Sequence, residues 1–324
     1  MQTKLTMPVD RRLTIQEAAD EWLRSCKAKG LRPATLTDYR GKAMLLVGFL
    51  GPDRDVRTIS RKDVQAYIEA LQTHGQQNGR GPGEVSIQSY MMTARVFIYW
   101  CMEEGLCEQF HISLPRAERP IKQPYSPVQM DYLLKEPNVK KCTFTELKCW
   151  FCVSLIYGTG ARIGTVLEIV CGDVDEEQKV LRLSHMKARK SILVPISDEL
   201  VARYKLYQQY RQGSPDEYLI CSSTGGHGDR RTLERQLQLY GESRGVEGLG
   251  AHRIRHTYAR EYILAGGDVT RLSRILGHSS IAVTNNYLRS IGMDVQDLKT
   301  GYDDLCPLDS AAGTQRLQRI KMRK

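Results

Sequence analysis

The stretch His252-Arg253-Ile254-Arg255-His256-Thr257-Tyr258-Ala259 carries a histidine and an arginine three positions apart. On a helix that spacing puts both side chains on one face. Upstream, Gly158-Thr159-Gly160-Ala161-Arg162-Ile163 reads as a turn that ends one helix, with Arg162 opening the next. Between the two stretches, 180–184 and 191–196 alternate as strands, and the turn between them is basic, with Lys187, Arg189 and Lys190. Downstream, Leu276-Gly277-His278 places a histidine at a helix end, and Tyr287 follows nine residues later. Each of these residues alone reads more readily as surface charge or packing than as chemistry. Together they make a set of two arginines, a lysine, two histidines and a tyrosine with no carboxylate. That composition argues against a carboxylate-held Mg²⁺ at this cluster, and no metal or cofactor is expected there. It suits an anion whose charge grows in the transition state, as in phosphoryl transfer.

Charge points the same way. The 324 residues hold 47 Lys and Arg against 37 Asp and Glu, a net charge of +10. A basic surface favours a polyanion, because neutralised phosphates release their counterions; the plain alternative is solubility alone. No stretch is apolar enough for a membrane span, and residues 1–12 lack a signal-peptide core. The expectation is a cytoplasmic protein, nucleoid-associated if bacterial, with no membrane partner. The nine cysteines are then reduced thiols. Cys149 and Cys152 form a C-x-x-C, but they lie in the apolar run 147–156 and no second pair completes a zinc site. They read as core.

The first third reads as entirely helical. Thr14-Ile15-Gln16-Glu17 is a capping box, and Ile15, Ala18, Ala19, Trp22, Leu23 and Cys26 recur at helical spacing until Gly30. A second helix follows Pro33, a third follows Ser60, and a fourth is expected to be capped by Ser86, after a flexible polar loop at 74–83. The Met and aromatic positions in this bundle are core. Length favours about two domains. A basic, proline-containing connector at 116–124 separates a helical domain, 13–115, from a mixed one, 125–300. Residues 1–12 form an extension and 301–324 a basic tail. The mixed part carries helices from Ser126, over 144–157, from Arg162 and over 198–211, with a short strand at 218–221. The fold class is mainly α with a small β-sheet.

The boxes 158–163, 252–259, 276–280 and 284–287 resemble, in order and spacing, the motifs of the tyrosine recombinase (phage integrase) family. Lys187 falls in the β-hairpin turn where that family carries a lysine, and Val194-Pro195-Ile196 after it also matches. The resemblance covers about 125–287 by motif and the helical third by architecture, as the family's SAM-like core-binding domain. Two departures stand out. Thr165 occupies a place that often holds Glu, and Lys187 lacks flanking glycines, so Arg189 and Lys190 compete for its role. His256 is an extra histidine, read as packing or helix hydrogen bonding.

The resemblance implies a C-shaped clamp on double-stranded DNA and strand transfer with no metal and no nucleotide. Arg162 and Arg255 would grip the scissile phosphate, with forked donors that match its oxygens. His252 and His278 would add donors, with His252 the proton acceptor for Tyr287. Tyr287 would attack to give a 3′-phosphotyrosyl enzyme, and Lys187 would protonate the departing 5′-oxygen. Arg32, Lys42, Arg61 and Lys62 in the helical third, with Arg189 and Lys190, would hold DNA phosphates. A homotetramer on two recombination sites, passing through a Holliday junction and served by an accessory directionality factor, is implied as well. The tail either packs on a neighbouring protomer or stays loose. The core-binding helices begin almost at once, which suits a mobile-element integrase or a resolvase-like housekeeping recombinase. A type IB topoisomerase-like enzyme and a catalytically inactive DNA-binding regulator are the rival readings.

Overall fold

The computed structural model describes residues 12–78, 81–118, 123–184, 191–278 and 280–290. They fall in two compact units, within Met1–Arg119 and Pro120–Lys324.

The first unit holds α1 (Ile15–Ala28), α2 (Pro33–Leu50), α3 (Arg61–Asn78) and α4 (Glu84–Glu103). Thr14 and Glu17 form the expected capping box at the start of α1. The apolar spacing of each helix buries one face, and Trp22 sits at the centre. It stacks on Tyr39 with ring centroids 5.1 Å apart and packs on Phe97 at 5.5 Å. Arg54 makes a bidentate pair with Asp63 at 2.7 and 3.0 Å. That pair and the Ser60 hydroxyl hold the Asp63 carboxyl down to about 2, which ties the approach segment to the first turn of α3.

Two local expectations are corrected here. Helix α3 continues through Asn78, so the polar stretch after His74 begins as helix. Helix α4 starts at Glu84 with Gly83 as its extended N-cap, so Ser86 lies inside the first turn and does not cap it. Glu84 explains the earlier start: an acidic side chain is favoured at a helix N-terminus, and it also accepts the Glu118 N–H at 3.1 Å.

The second unit runs α5 (Pro127–Leu134), α6 (Phe144–Thr159), α7 (Ile163–Val166), β1 (Val174–Asp175), β2 (Val180–Leu183), β3 (Ile192–Pro195), α8 (Asp198–Arg211), α9 (Arg230–Ser243), α10 (Ala251–Leu264), α11 (Val269–Ile275) and α12 (Ile281–Ser290). Helix α6 is its axis, buried continuously from Leu147 to Ile156, with α5, α8, α9 and α10 packed around it. Cys149 and Cys152 belong to this core, and burial pushes the Cys149 thiol up to about 12. Lys148 is buried in the same run and donates its ammonium to the Cys221 carbonyl at 3.1 Å, as a buried cation requires. The strands form an antiparallel sheet in the order β1-β2-β3, with Leu183 opposite Ile192. Residues 218–221, expected as a strand, instead make two isolated bridges, Val170 with Tyr218 and Cys221 with His227. Each end pairs with a different segment, so no ladder forms. The fold is thus mainly α with a small β-sheet.

A separate cluster of Ala259, Ile263, Leu272, Leu276 and Leu288 fastens α10, α11 and α12 together. This packing brings the last of the candidate residues to the others.

Candidate active site

Arg255 is the centre of the site. It lies on α10 and is 2% exposed, so its charge needs partners. Two helix ends supply them. Helix α6 ends at Gly160, in the left-handed conformation with φ 65°, and the Gly160 carbonyl accepts Arg255 Nη1 at 2.6 Å. Helix α11 ends in a Schellman turn: His278 N–H bonds the Ser273 carbonyl and Gly277 N–H bonds the Arg274 carbonyl. The Leu276 carbonyl is left over, and it accepts Arg255 Nη2 at 2.8 Å and Arg162 Nη1 at 2.9 Å. Helix C-termini carry partial negative charge, so both ends favour a cation. One carbonyl thus draws two guanidinium groups together. The Arg255 Nε–H is buried and has no acceptor among the described residues.

The start of α10 is pinned from below by Tyr125. Its hydroxyl donates to the Gly248 carbonyl and accepts the Gly250 N–H, both at 3.0 Å, while its own N–H donates to the Thr257 hydroxyl at 2.9 Å. Arg253 lies over the Tyr125 ring at 4.0 Å. This lock points the His252 and Arg255 face of α10 one way.

Tyr287, on α12, closes the site. Its ring stacks on His256 at 4.7 Å and 25°, and it lies edge-on to His278 at 5.4 Å and to His252 at 6.5 Å. Burial pushes its phenol up to about 12, against the opposing charge and hydrogen bond of Arg255 and the charge of Arg162. Burial also lowers both arginines, Arg255 to about 10 with the Arg162 charge adding to the effect. Both stay charged at neutral pH. His278 bonds Arg255 Nη2 through Nε2 at 3.3 Å and the Thr284 hydroxyl through Nδ1 at 2.9 Å. Burial, then the charges of Arg255 and Arg162, push His278 down to about 4, so it is neutral at pH 7.

The structure therefore brings Arg162, His252, Arg255, His278 and Tyr287 into one place. Lys187, Arg189 and Lys190, between β2 and β3, lie outside the described residues. Of the expected phosphate contacts, Arg32 is the exposed N-cap of α2, and Arg61 and Lys62 are exposed on the first turn of α3. Lys42 is engaged inside the helical unit. Its ammonium pairs with Asp38 at 2.6 Å and donates to Ser89 at 2.9 Å, which ties α2 to α4. Thr165, in the place that often holds Glu, is buried.

Three participants were given no part in the site from sequence. His256 packs, as expected, but the ring it packs on is Tyr287. Thr284 is fully buried and bonded to His278; the available signal was its position three residues before Tyr287 on one helix. Gly160 matters for its backbone. An added Cβ there would lie 2.5 Å from the Tyr258 ring, at a positive φ. Gly160→Ala should cost about 2–4 kcal/mol by left-handed strain and overpacking, read as a lower urea midpoint. An unchanged midpoint would mean the turn relaxes freely.

A forked cationic pair beside a buried phenol and the neutral His278 imidazole has the chemistry to receive an anion. The phage integrase family model matches residues 126–291, and the phage integrase N-terminal SAM-like domain model matches residues 19–105. Tyrosine recombinase XerC of Shewanella amazonensis is 24% identical over 283 residues, covering 86% of this chain and 91% of that protein. The Tn1549 transposon integrase, solved in complex with transposon right end DNA, is 16% identical with a TM-score of 0.72, covering 90% of this chain and 99% of that one. A lambda integrase tetramer bound to a Holliday junction is 17% identical with a TM-score of 0.67, covering 88% and 80%. This chain belongs to the phage integrase, or tyrosine recombinase, family, whose members break and rejoin DNA. Among the described residues no helix is long and apolar enough to cross a membrane.

Proposed function

We propose that this protein is a site-specific integrase that cleaves and rejoins double-stranded DNA through Tyr287, without metal or nucleotide. The observation that carries the proposal is the convergence of Arg162 and Arg255 on the Leu276 carbonyl with Tyr287 against Arg255. The scissile phosphate docks on the two guanidinium groups and takes the spare Arg255 Nε–H. Donors fixed before the substrate arrives need no reorganisation as charge develops. At about 12 the Tyr287 phenol does not ionise unaided at neutral pH. A docked phosphate offsets part of the arginine charge that lowers it, so a proton acceptor is required. His252, exposed beside the ring, fills that role. Tyr287 oxygen bonds to phosphorus, the bond to the 5′-oxygen breaks, and Lys187 protonates that oxygen. The product is a 3′-phosphotyrosyl enzyme. It keeps the phosphodiester's energy, so rejoining needs no ATP.

The wider reading follows the relatives. The helical unit clamps the duplex with Arg32, Arg61 and Lys62 on phosphates. Four protomers join two sites through a Holliday junction, with an accessory factor setting direction, in the cytoplasm. Moving a mobile element is the first reading and a resolvase-like role the second; the solved part of the Tn1549 transposon integrase shares the fold, and the relatives in sequence include recombinases named XerC and XerD.

The test is covalent trapping. A duplex site is selected from random DNA by the purified protein, nicked near its centre, and incubated with it in EDTA without ATP. A DNA-linked band in denaturant supports the proposal. No band on any nick position, with binding intact, would leave a DNA-binding regulator; relaxation of supercoils lacking the site would favour a topoisomerase. Lys187→Ala should slow cleavage by about 10²–10⁴, and a 5′-thio leaving group, which needs no acid, should restore it. No restoration would move the acid to Arg189 or Lys190.

A further inference from the structure

We propose that Thr284 is a positioning residue whose hydroxyl reverses its hydrogen bond with His278, letting that imidazole exchange tautomers when phosphate enters the site. This rests on the reading of His278 as a donor to the scissile phosphate.

The problem begins with Arg255. A guanidinium only donates, so in the 3.3 Å contact between Arg255 Nη2 and His278 Nε2 the imidazole nitrogen accepts. His278 is neutral at pH 7, so its single ring proton sits on Nδ1. The 2.9 Å bond to Thr284 Oγ1 is then Nδ1–H donating to the hydroxyl. In this arrangement His278 presents a lone pair where a phosphate oxygen would need an N–H.

Docking of a phosphate changes the partner. Its oxygens take the Arg255 Nε–H and also the Nη2 hydrogen that His278 accepts in the empty site, and Nε2 must then carry a proton to serve them. Nε2 takes a proton from solvent water, the resulting imidazolium loses its Nδ1 proton to the hydroxide left behind as the Thr284 hydroxyl turns, and the ring ends neutral with one water restored. Nδ1 then needs a donor, since a buried unpaired acceptor is costly. Thr284 is fully buried, so water does not replace it. A hydroxyl is both donor and acceptor, and a rotation about the C–O bond turns one role into the other. A carboxylate here would only accept and would fix the empty-site tautomer; an ammonium would only donate and fix the other. A hydroxyl permits both. Thr284 also stands three residues before Tyr287 on α12, so the same bond seats the nucleophile's helix against His278.

Two measurements test this. Covalent adduct formation on the selected, nicked duplex is compared for wild type, Thr284→Ser and Thr284→Val. Thr284→Val should bind DNA normally but cleave about 100-fold more slowly, the size of losing one donor to a developing oxyanion, and Thr284→Ser should restore the rate. The ¹⁵N shifts of His278 are then read in the full protein with and without inorganic phosphate. The proton should sit on Nδ1 in the free protein and on Nε2 with phosphate, and Thr284→Val should not show the exchange. Equal cleavage by the valine variant, an unchanged tautomer, or both nitrogens protonated with phosphate would overturn the proposal. If wild type itself forms no adduct, the recombinase reading falls, and the spectra alone decide the relay.

Discussion

Tyr287→Phe is expected to form no covalent DNA adduct at any time point while binding the selected duplex as wild type does. The phenol oxygen is the atom that joins phosphorus, and phenylalanine has none. The ring itself survives, so its stack on His256 and its edge contacts with His252 and His278 persist. Folding should lose no more than about 1–3 kcal/mol, the cost of leaving the Arg255 donor that meets the hydroxyl without its acceptor. The measurement is denaturing electrophoresis beside a binding isotherm. An adduct from the phenylalanine variant would give the nucleophile's role to another side chain.

Arg255→Lys is the second large effect. Cleavage should fall about a thousandfold, the upper end of the loss of one oxyanion donor. A single ammonium does not reproduce a planar fork. Arg255 bonds Gly160 O, Leu276 O and His278 at once and keeps Nε–H in reserve. Lysine leaves at least one of those buried acceptors unpaired, at about 1–3 kcal/mol, so the urea midpoint should drop as well. Single-turnover adduct rates separate the two losses when measured well below the midpoint. A rate within tenfold of wild type would show that Arg162 alone holds the phosphate.

Much of this architecture is legible without coordinates wherever the signal is local. The capping box at Thr14 and the helix start at Ser126, the apolar faces of α1 and α6, and the Asp198–Arg211 helix follow from spacing and end chemistry. The failures are places where a distant partner decides. Ser86 has cap chemistry, yet Glu84 starts the helix earlier and bonds the chain 34 residues on. Residues 218–221 have strand composition, yet their ends pair with segments too far apart to make a ladder. The tie that Lys42 makes from α2 to Ser89 on α4 likewise has no local signal.

The site divides along the same line. By itself the order of Arg162, His252, Arg255, His278 and Tyr287 determined which side chains belong together and which family they mark, because those residue types carry the chemistry wherever they are placed. Only the tertiary structure decided what holds them: the Gly160 and Leu276 carbonyls and the buried Thr284 hydroxyl. Every residue has a carbonyl, so none has a sequence signature. Which one is left free to take an arginine depends on where two helices end in space, and packing among α6, α10, α11 and α12 sets that.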